Sequence, residues 1–406
     1  MPVDHHHFDP TRRAVTTAPT PGSIPIPVAT LSTAEDALTW AATDFGHTVH
    51  NRPHAVLRPT TEDEIADLLR FATRHDLRVV AKAEGHSTAG QAQSLDGIVV
   101  DTRALDTVHA LDGDRIIVGA GARWSQVLAA MLPHGLTPPV LTDYLETSVG
   151  GTLSVGGLGG ATHRHGAQTD NVLALDVLTP DGDRHTCSPG DPLFDAVRAG
   201  RGRHGIILRA TLPLVPARSH ALVRKTTHTK LADFLATQRE QIGGRFDYVE
   251  GQAKLDDTGH WTYVCETATW TDTSTDTPYG AFLDRLSPDV ALLRELGHWD
   301  APHPWLNLLL PDHQAEPFIA HALTQLTRAD IGQAGVVLIY PIVTTRITTP
   351  NLRLPDTPIA FLFAILRSAP HATPEHLDRM TAHNRDLTRH AESLGGTAYL
   401  GELPRP

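Results

Sequence analysis

The amino-acid sequence predicts an α+β protein of two domains, and three observations carry that reading. Residues 48–217 mix helix-period and strand-period segments, residues 218–370 are dominated by long strand-like runs, and 371–396 read as an amphipathic helix. A length of 406 residues suits two or three modules at roughly 150 residues each. Residues 1–47 form an N-terminal extension, expected to be partly flexible. Its Pro/Thr-rich start carries a three-His run at 5–7, a pattern more often disordered than metal-binding.

In the first domain, 62–75 is a helix. Ile65, Leu68, Leu69 and Ala72 share one face, and Thr61 with Glu64 makes a capping box. LRVVAKA (77–83) is a short strand that runs into the loop EGHSTAGQ; GIVVD (97–101) and RIIVGA (115–120) are buried-strand candidates. WSQVLAAMLPHG predicts a helix stopped at Gly135. VLALDVLTPDG turns at Asp181-Gly182 into RHTCS, a hairpin pattern. A short helix at 194–198 and the strand GIILRATLPLVPA (205–217) complete the domain. In the second domain YVEGQAKL, WTYVCETATW, GVVLIYPI and IAFLFAIL predict a sheet with helices on one face. In the tail Thr373 is the N-cap, Pro374 opens the first turn, Leu377, Met380, Leu387 and Leu394 face inward, and Gly395 stops the helix.

Composition narrows the function. Acidic residues outnumber basic ones, 46 to 34, giving −12 at pH 7 with His neutral. That argues against a nucleic-acid or anionic-membrane partner. Cys187 and Cys265 make neither a disulfide framework nor a paired-Cys metal motif. No apolar run is long enough for a transmembrane helix, and without a signal-peptide core the expected location is cytoplasmic. His163 and His165 would share one face of a strand, but no third ligand follows at a recognisable spacing, so no metal is expected.

Glycine loading of AEGHSTAG and SVGGTLSVGGLGG is the densest chemical signal. Glycine permits positive φ and close backbone approach, which lets a loop aim several N–H groups at one anion such as a dinucleotide pyrophosphate. Glycines alone leave ordinary turns equally open, and neither loop is a GxGxxG fingerprint at a strand-to-helix junction.

GHSTAGQ, TDYLETSVGGTLSVGGLGG, THRHGAQTDNVLALDVLTPDGDRHTCSP and AGRGRHGIILRA, in that order, resemble the flavin domain of cytokinin dehydrogenases, FAD enzymes of the vanillyl-alcohol-oxidase type. The likeness covers about residues 50–217 and resumes at FDYVEG (246–251), PHPWLNLLLP (302–311), GVVLIYPI (335–342) and AYL (398–400). It implies a two-part FAD-binding domain at 48–217 and a substrate domain at 218–370, with an antiparallel sheet covered by helices. A C-terminal helix with a short return toward the flavin site then occupies 371–406.

Residue by residue, the resemblance implies that His86 is the covalent anchor of FAD. No Cys lies in SVGGTLSVGG, so a second, cysteinyl bond is not expected. Ala83, Gly85, Ser87 and Gln91 would line the flavin phosphates, while Ser148, Ser154, Leu158 and Ile207 (through its backbone) would make the other cofactor contacts, with Tyr399 on the flavin side. Asp143 matches the catalytic base, next to the cofactor. Glu250 matches a glutamate at the substrate entrance, and Trp305, Asn307 and Leu400 match pocket-lining positions. RHGAQTDNV matches a motif whose role is structural. One departure is Ala83-Glu84, where the family has Gly-Arg. A carboxylate near a pyrophosphate is repelled, so either Glu84 points outward or the covalent bond carries more of the affinity.

The implied activity is oxidation of a secondary amine, an N6-isoprenoid adenine or analogue, to an imine. The acceptor is a quinone or oxygen, and the oligomeric state is left open. The same flavin fold acting on another small molecule of a bacterial biosynthetic pathway, as an oxidase or a non-redox cyclase, is the alternative. In the family a further segment follows the tyrosine and leucine matched by Tyr399 and Leu400. Here only GELPRP follows, which implies a flavin site closed differently or more open.

Overall fold

Short apolar runs between turn residues build the first sheet of the computed structural model, which describes residues 31–400. The histidine run at 5–7 and the terminal GELPRP lie outside the described residues. Ala55–Leu57, Ile98–Asp101 and Val79–Lys82 are parallel neighbours in that order. Parallel strands need a crossover, and the helix Glu62–Arg74 supplies it, with the Thr61–Glu64 capping box in place. Its Ile65, Leu68 and Leu69 pack against Leu57, Ile98 and Val100. Residues 31–47 are part of this sheet rather than a separate extension. Leu31–Ser32 pairs with Ala55–Leu57, and Ala37, Leu38 and Ala41 of the helix Glu35–Ala41 cover Val56 and Val99.

A second, five-stranded antiparallel sheet runs in the order Val108–Asp112, Arg115–Gly119, Ile206–Pro213, Ala174–Leu178, Arg184–Cys187. The expected hairpin closes through Gly182 at φ +80°. Trp124, Val127, Leu128 and Met131 of the helix Trp124–Met131 belong to its core. Gly135, at φ +68°, ends the following 3-10 turn.

The second domain is one eight-stranded antiparallel sheet. Its order is Thr277–Pro278, His220–His228, Trp261–Thr271, Tyr248–Leu255, Val336–Val343, Ile359–Leu366, Leu306–Pro311, Thr397–Ala398. Side chains alternate across it with the strand period of two. Val337, Ile339, Phe361, Phe363, Leu308 and Leu310 pack beneath three helices, Leu231–Ile242, Asp312–Thr324 and Pro374–Ser393. Tyr340, Ile342, Leu362, Ala364 and Leu309 point the other way and meet Leu158, Ala167 and Ala199 of the first domain. The seam between domains is therefore lined by alternate residues of the same strands.

Two local expectations change. In the tail helix the buried residues are Met380, Asn384, Leu387 and Ala391, while Leu377 is only half-buried. His163 and His165 lie in the one-turn helix Thr162–His165 rather than on a strand. The His163 ring sits between the carbonyls of Gly160 (2.9 Å) and Phe246 (3.1 Å). Among the described residues no helix is long and apolar enough to cross a membrane.

Candidate active site

The strand Val79–Lys82 delivers the chain into the His86 loop, and a second segment, 43–47, is zipped to that loop. Phe45 N donates to Gly85 O (2.9 Å) and Gly46 N to Ser87 O (3.1 Å). The buried Asp44 carboxylate accepts from Gly90 N (2.7 Å), Ser87 Oγ (3.1 Å) and Gly46 N (3.1 Å). Lys82, also buried, donates from Nζ to Trp40 O (2.5 Å) and to Thr43 O. Gly85 is required twice over: φ is +67°, and a Cβ there would meet Lys82 Cε at 2.7 Å.

His86 faces an aromatic cluster drawn from both domains. Its ring centroid lies 4.2 Å from Phe45, 4.7 Å from Tyr144, and 6.0 Å from both Trp299 and Trp305. Burial, with a smaller contribution from His303, pushes the imidazole down to about 3, so it is neutral at ordinary pH. Among the described residues neither ring nitrogen is hydrogen-bonded, and the backbone N–H groups of Gly85, His86 and Ser87 donate to no protein acceptor. Such a loop fits a dinucleotide: free N–H donors on a positive-φ turn make an anion cradle, and an unprotonated imidazole beside it is a competent nucleophile. Glu84 is exposed at the surface of this loop, although partial burial of its carboxyl raises it above the ordinary value, against the opposing charges of Arg123 and Arg103.

Several expected cofactor residues have their hydroxyls engaged within the fold. Ser148 caps the helix Val149–Leu153 by accepting from Gly151 N (3.2 Å), and Ser154 Oγ donates to Gly150 O (2.7 Å). Ala83 is half-buried just past its strand, and Ile207 is buried beside a β-bulge in Ile206–Pro213. Gln91 is exposed and accepts from Ala89 N (2.9 Å) within its own loop; it does not join the cluster around His86. The second glycine loop is held from the other domain. Tyr399 Oη accepts from Gly157 N (3.0 Å), Tyr399 N donates to Asn307 O (3.0 Å), and Leu158 is buried there. Burial pushes the Tyr399 phenol up to about 12. Leu400, half-buried, follows directly.

Asp143 sits one residue before Tyr144 and is half-buried in the domain seam. Its Oδ1 accepts from Arg285 Nη2 (2.6 Å) and Tyr248 Oη (2.9 Å), and Arg285 Nη2 also contacts Tyr248 Oη. Gly160 leaves room for Tyr248, since a Cβ there would lie 2.4 Å from the ring. Two residues along the same strand face is Glu250, buried, with Oε1 lacking a partner. Burial raises Glu250 well above the usual carboxylate range, and the Asp143 charge adds to it. Burial would raise Asp143 as well, but the Arg285 guanidinium and the hydrogen bonds from Glu250, Arg285 and Tyr248 hold it below its ordinary value. Of the two carboxyls, Glu250 is thus the one whose surroundings favour the protonated form and Asp143 the one favoured as carboxylate.

The structure thus brings His86 and Trp305 into one cluster, Asp143 and Glu250 into a second, and Leu158, Asn307 and Tyr399 around a glycine loop. Asp44, Phe45, Tyr248, Glu266, Arg285, Trp299 and His303 escaped the sequence reading. Asp44, Phe45, Arg285 and Trp299 are lone residues in unremarkable stretches, whereas Tyr248 and His303 lie inside FDYVEG and PHPWLNLLLP and Glu266 inside the strand WTYVCETATW, where no signal marked the individual residue.

Known proteins resemble this chain over most of its length. An FAD binding domain family matches residues 53–188, and the family described as cytokinin dehydrogenase 1, FAD and cytokinin binding matches 262–404. An uncharacterized oxidoreductase, ORF5 in the fasciation locus of Rhodococcoides fascians, is 39% identical over 89% of this chain and 87% of its own. Cytokinin dehydrogenase 10 of Oryza sativa subsp. japonica is 36% identical over 84% of this chain and 74% of its own. The solved 6-hydroxy-D-nicotine oxidase from Arthrobacter nicotinovorans has the same fold, with a TM-score of 0.68 at 19% identity over 90% of this chain and 87% of that one.

Proposed function

From the premise that the chain belongs to the cytokinin dehydrogenase family of FAD-dependent oxidoreductases, we propose that it oxidises a secondary amine to an imine, with Asp143 as base. The substrate of this reading is an N6-isoprenoid adenine or an analogue, and the acceptor is a quinone or oxygen. Bound FAD supplies the hydride acceptor of such a reaction.

The observation that carries the reading is the carboxyl pair at the domain seam: Asp143, on the first domain, is held through Oδ1 by Arg285 and Tyr248, and the buried Glu250 lies two residues from Tyr248 on the same strand. Their environments pull the two carboxyls apart, Asp143 below and Glu250 above the ordinary range. An amine N–H needs an acceptor as the hydride leaves, and Asp143 is that group. A ring nitrogen of the substrate needs a donor, and protonated Glu250 is that group. Trp305 and Asn307 would line the substrate pocket: the Trp305 Nε1 is fixed on Arg367 O (3.0 Å), which holds the indole edge-on to Phe45. The neutral His86, with no protein partner for its ring nitrogens, would hold FAD covalently. The amides of Gly85–Ser87 and the Tyr399-braced glycine loop would bind the rest of the cofactor. The protein would work in the cytoplasm on a small molecule, without nucleic acid or membrane partners.

The test has three parts. Acid precipitation of the yellow protein leaves flavin colour in the pellet, and in His86→Ala the colour passes to the supernatant. Isopentenyladenine bleaches a quinone or dichlorophenol dye acceptor; no bleaching, with flavin reduction by another amine, moves the substrate but keeps the chemistry. Asp143→Asn slows flavin reduction about 10²-fold or more, and reduction at the wild-type rate removes the base assignment.

A further inference from the structure

We propose that Arg285 is a positioning residue that sets the ionisation and aim of Asp143, and with them the acid limb of the reaction. This rests on the reading of Asp143 as base. Arg285 lies on the substrate domain, just past the short helix Tyr279–Leu283, and reaches across the seam to a carboxylate carried by the flavin domain. Its guanidinium is fixed on every side. It lies against the corner made by the T-shaped Tyr248 and Phe282 rings (4.8 and 4.6 Å from their centroids), Nη1 donates to Phe282 O (3.2 Å), and Nε faces Glu266 Oε1 at 3.3 Å. Glu266 is in turn paired with Lys225 (2.7 Å).

The charged and titratable groups around the base are therefore Arg285, Tyr248 and Glu250 on Asp143, the buried Tyr340 phenol within electrostatic reach of both carboxyls, and Glu266 with Lys225 behind Arg285. Arg285 is the one cation that touches Asp143 among the described residues. With Glu250 beside it and water largely excluded, Asp143 without that cation would be pushed toward the protonated form, which cannot accept a proton. The planar fork also directs Oδ1, since two of its partners, Arg285 and Tyr248, converge on that single oxygen.

The experiment compares wild type with Arg285→Met and Arg285→Lys as FAD-loaded proteins, with equal flavin-to-protein ratios confirming folding. One readout is the pH profile of kcat/KM on whichever amine reduces the flavin. The other needs no substrate: the infrared band of a protonated carboxyl that Asp143→Asn removes, followed through a pH titration. In Arg285→Met both the acid limb and the band shift upward by about one pH unit or more, so that rate falls about ten-fold at acid pH and recovers at alkaline pH. Arg285→Lys restores the titration but leaves kcat lowered, because the ammonium keeps the charge and not the fork. If limb and band stay at wild-type positions in Arg285→Met, or if rate falls equally at all pH values, the proposal is overturned. Loss of the base reading is separate: Asp143→Asn would then reduce flavin normally, while the infrared band still reports on Arg285.

Discussion

At the scale of single residues, the protein keeps costly charges near the flavin loop and neutralises them by different means. Asp143 stays ionised because a guanidinium touches it. Lys82 has no such partner in contact, and burial lowers its ammonium to about 8 from 10.5, with Asp44 opposing the shift. A neutral amine still has two N–H groups, enough for the carbonyls of Trp40 and Thr43. The sign of the linkage follows. Between pH 8 and 10.5 the unfolded chain binds the Lys82 proton and the folded chain does not, so stability rises with pH across that window. Wild type should therefore gain on Lys82→Met by about 3 kcal/mol over that range, an order-of-magnitude figure from the shift. Urea melts at a series of pH values measure it, and a flat difference would show that Lys82 is not desolvated. His86 and Asp143 were legible in the sequence because flanking motifs marked them. Asp44 and Arg285 were not, because a lone charged residue in a loop has no spacing to recognise, and its meaning arises only when the fold brings a partner to it.

Among the elements, legibility followed the density of apolar residues. Tyr248–Leu255, Val336–Val343 and Ile359–Leu366 were readable as strands because both faces are buried and the runs are nearly continuous. His220–His228 escaped because most of it is exposed and its polar residues look like a spacer. Leu231–Ile242 escaped because it buries only Phe234, Leu235 and Gln238, too thin a stripe to show a helical period. That helix sits close because the strand beneath it offers no side chain at Gly251. A Cβ there would lie 2.3 Å from Gln238 Nε2 and 2.7 Å from Phe234 Cζ. Gly251→Ala is therefore expected to destabilise by about 1–3 kcal/mol through overpacking, read as a lower denaturation midpoint. Gly243→Ala at the end of the same helix is the control. Its φ is −81° and its Cβ would have no neighbour nearer than 3.5 Å, so it should stay within about 0.5 kcal/mol of wild type. Equal effects at the two glycines would mean that helix–strand spacing is not set at Gly251.

On the scale of the whole molecule, the groups we assign to the reaction are carried by different domains, so on that reading function depends on how firmly the domains dock. Two-domain α+β architecture was legible from the change in pattern near residue 217, but the docking was not, since its apolar seam and its polar bridges join segments distant in sequence. One polar bridge is Asp143 with Arg285. Another lies in the RHGAQTDNV motif. Asp170 Oδ1 accepts from Thr348 N (2.8 Å), Thr349 Oγ1 (2.8 Å) and Thr348 Oγ1 (3.0 Å), while Oδ2 accepts from Ala167 N (2.8 Å). Asn351 Nδ2 extends the seam to the carbonyls of Asp195 (2.8 Å) and Ala196 (3.0 Å). Removing the carboxylate leaves the N–H of buried Ala167 without an acceptor and gives that of exposed Thr348 to water, worth about 1–3 kcal/mol. Because His86 and its loop do not touch this seam, Asp170→Ala should keep flavin in the acid-precipitated pellet. It should speed limited proteolysis within 344–352, and raise KM more than it lowers kcat, since loosened domains present the carboxyl pair to substrate less of the time. Unchanged cleavage of 344–352 would mean that Asp170 does not hold the domains together and that the apolar seam and the other polar bridges carry the docking.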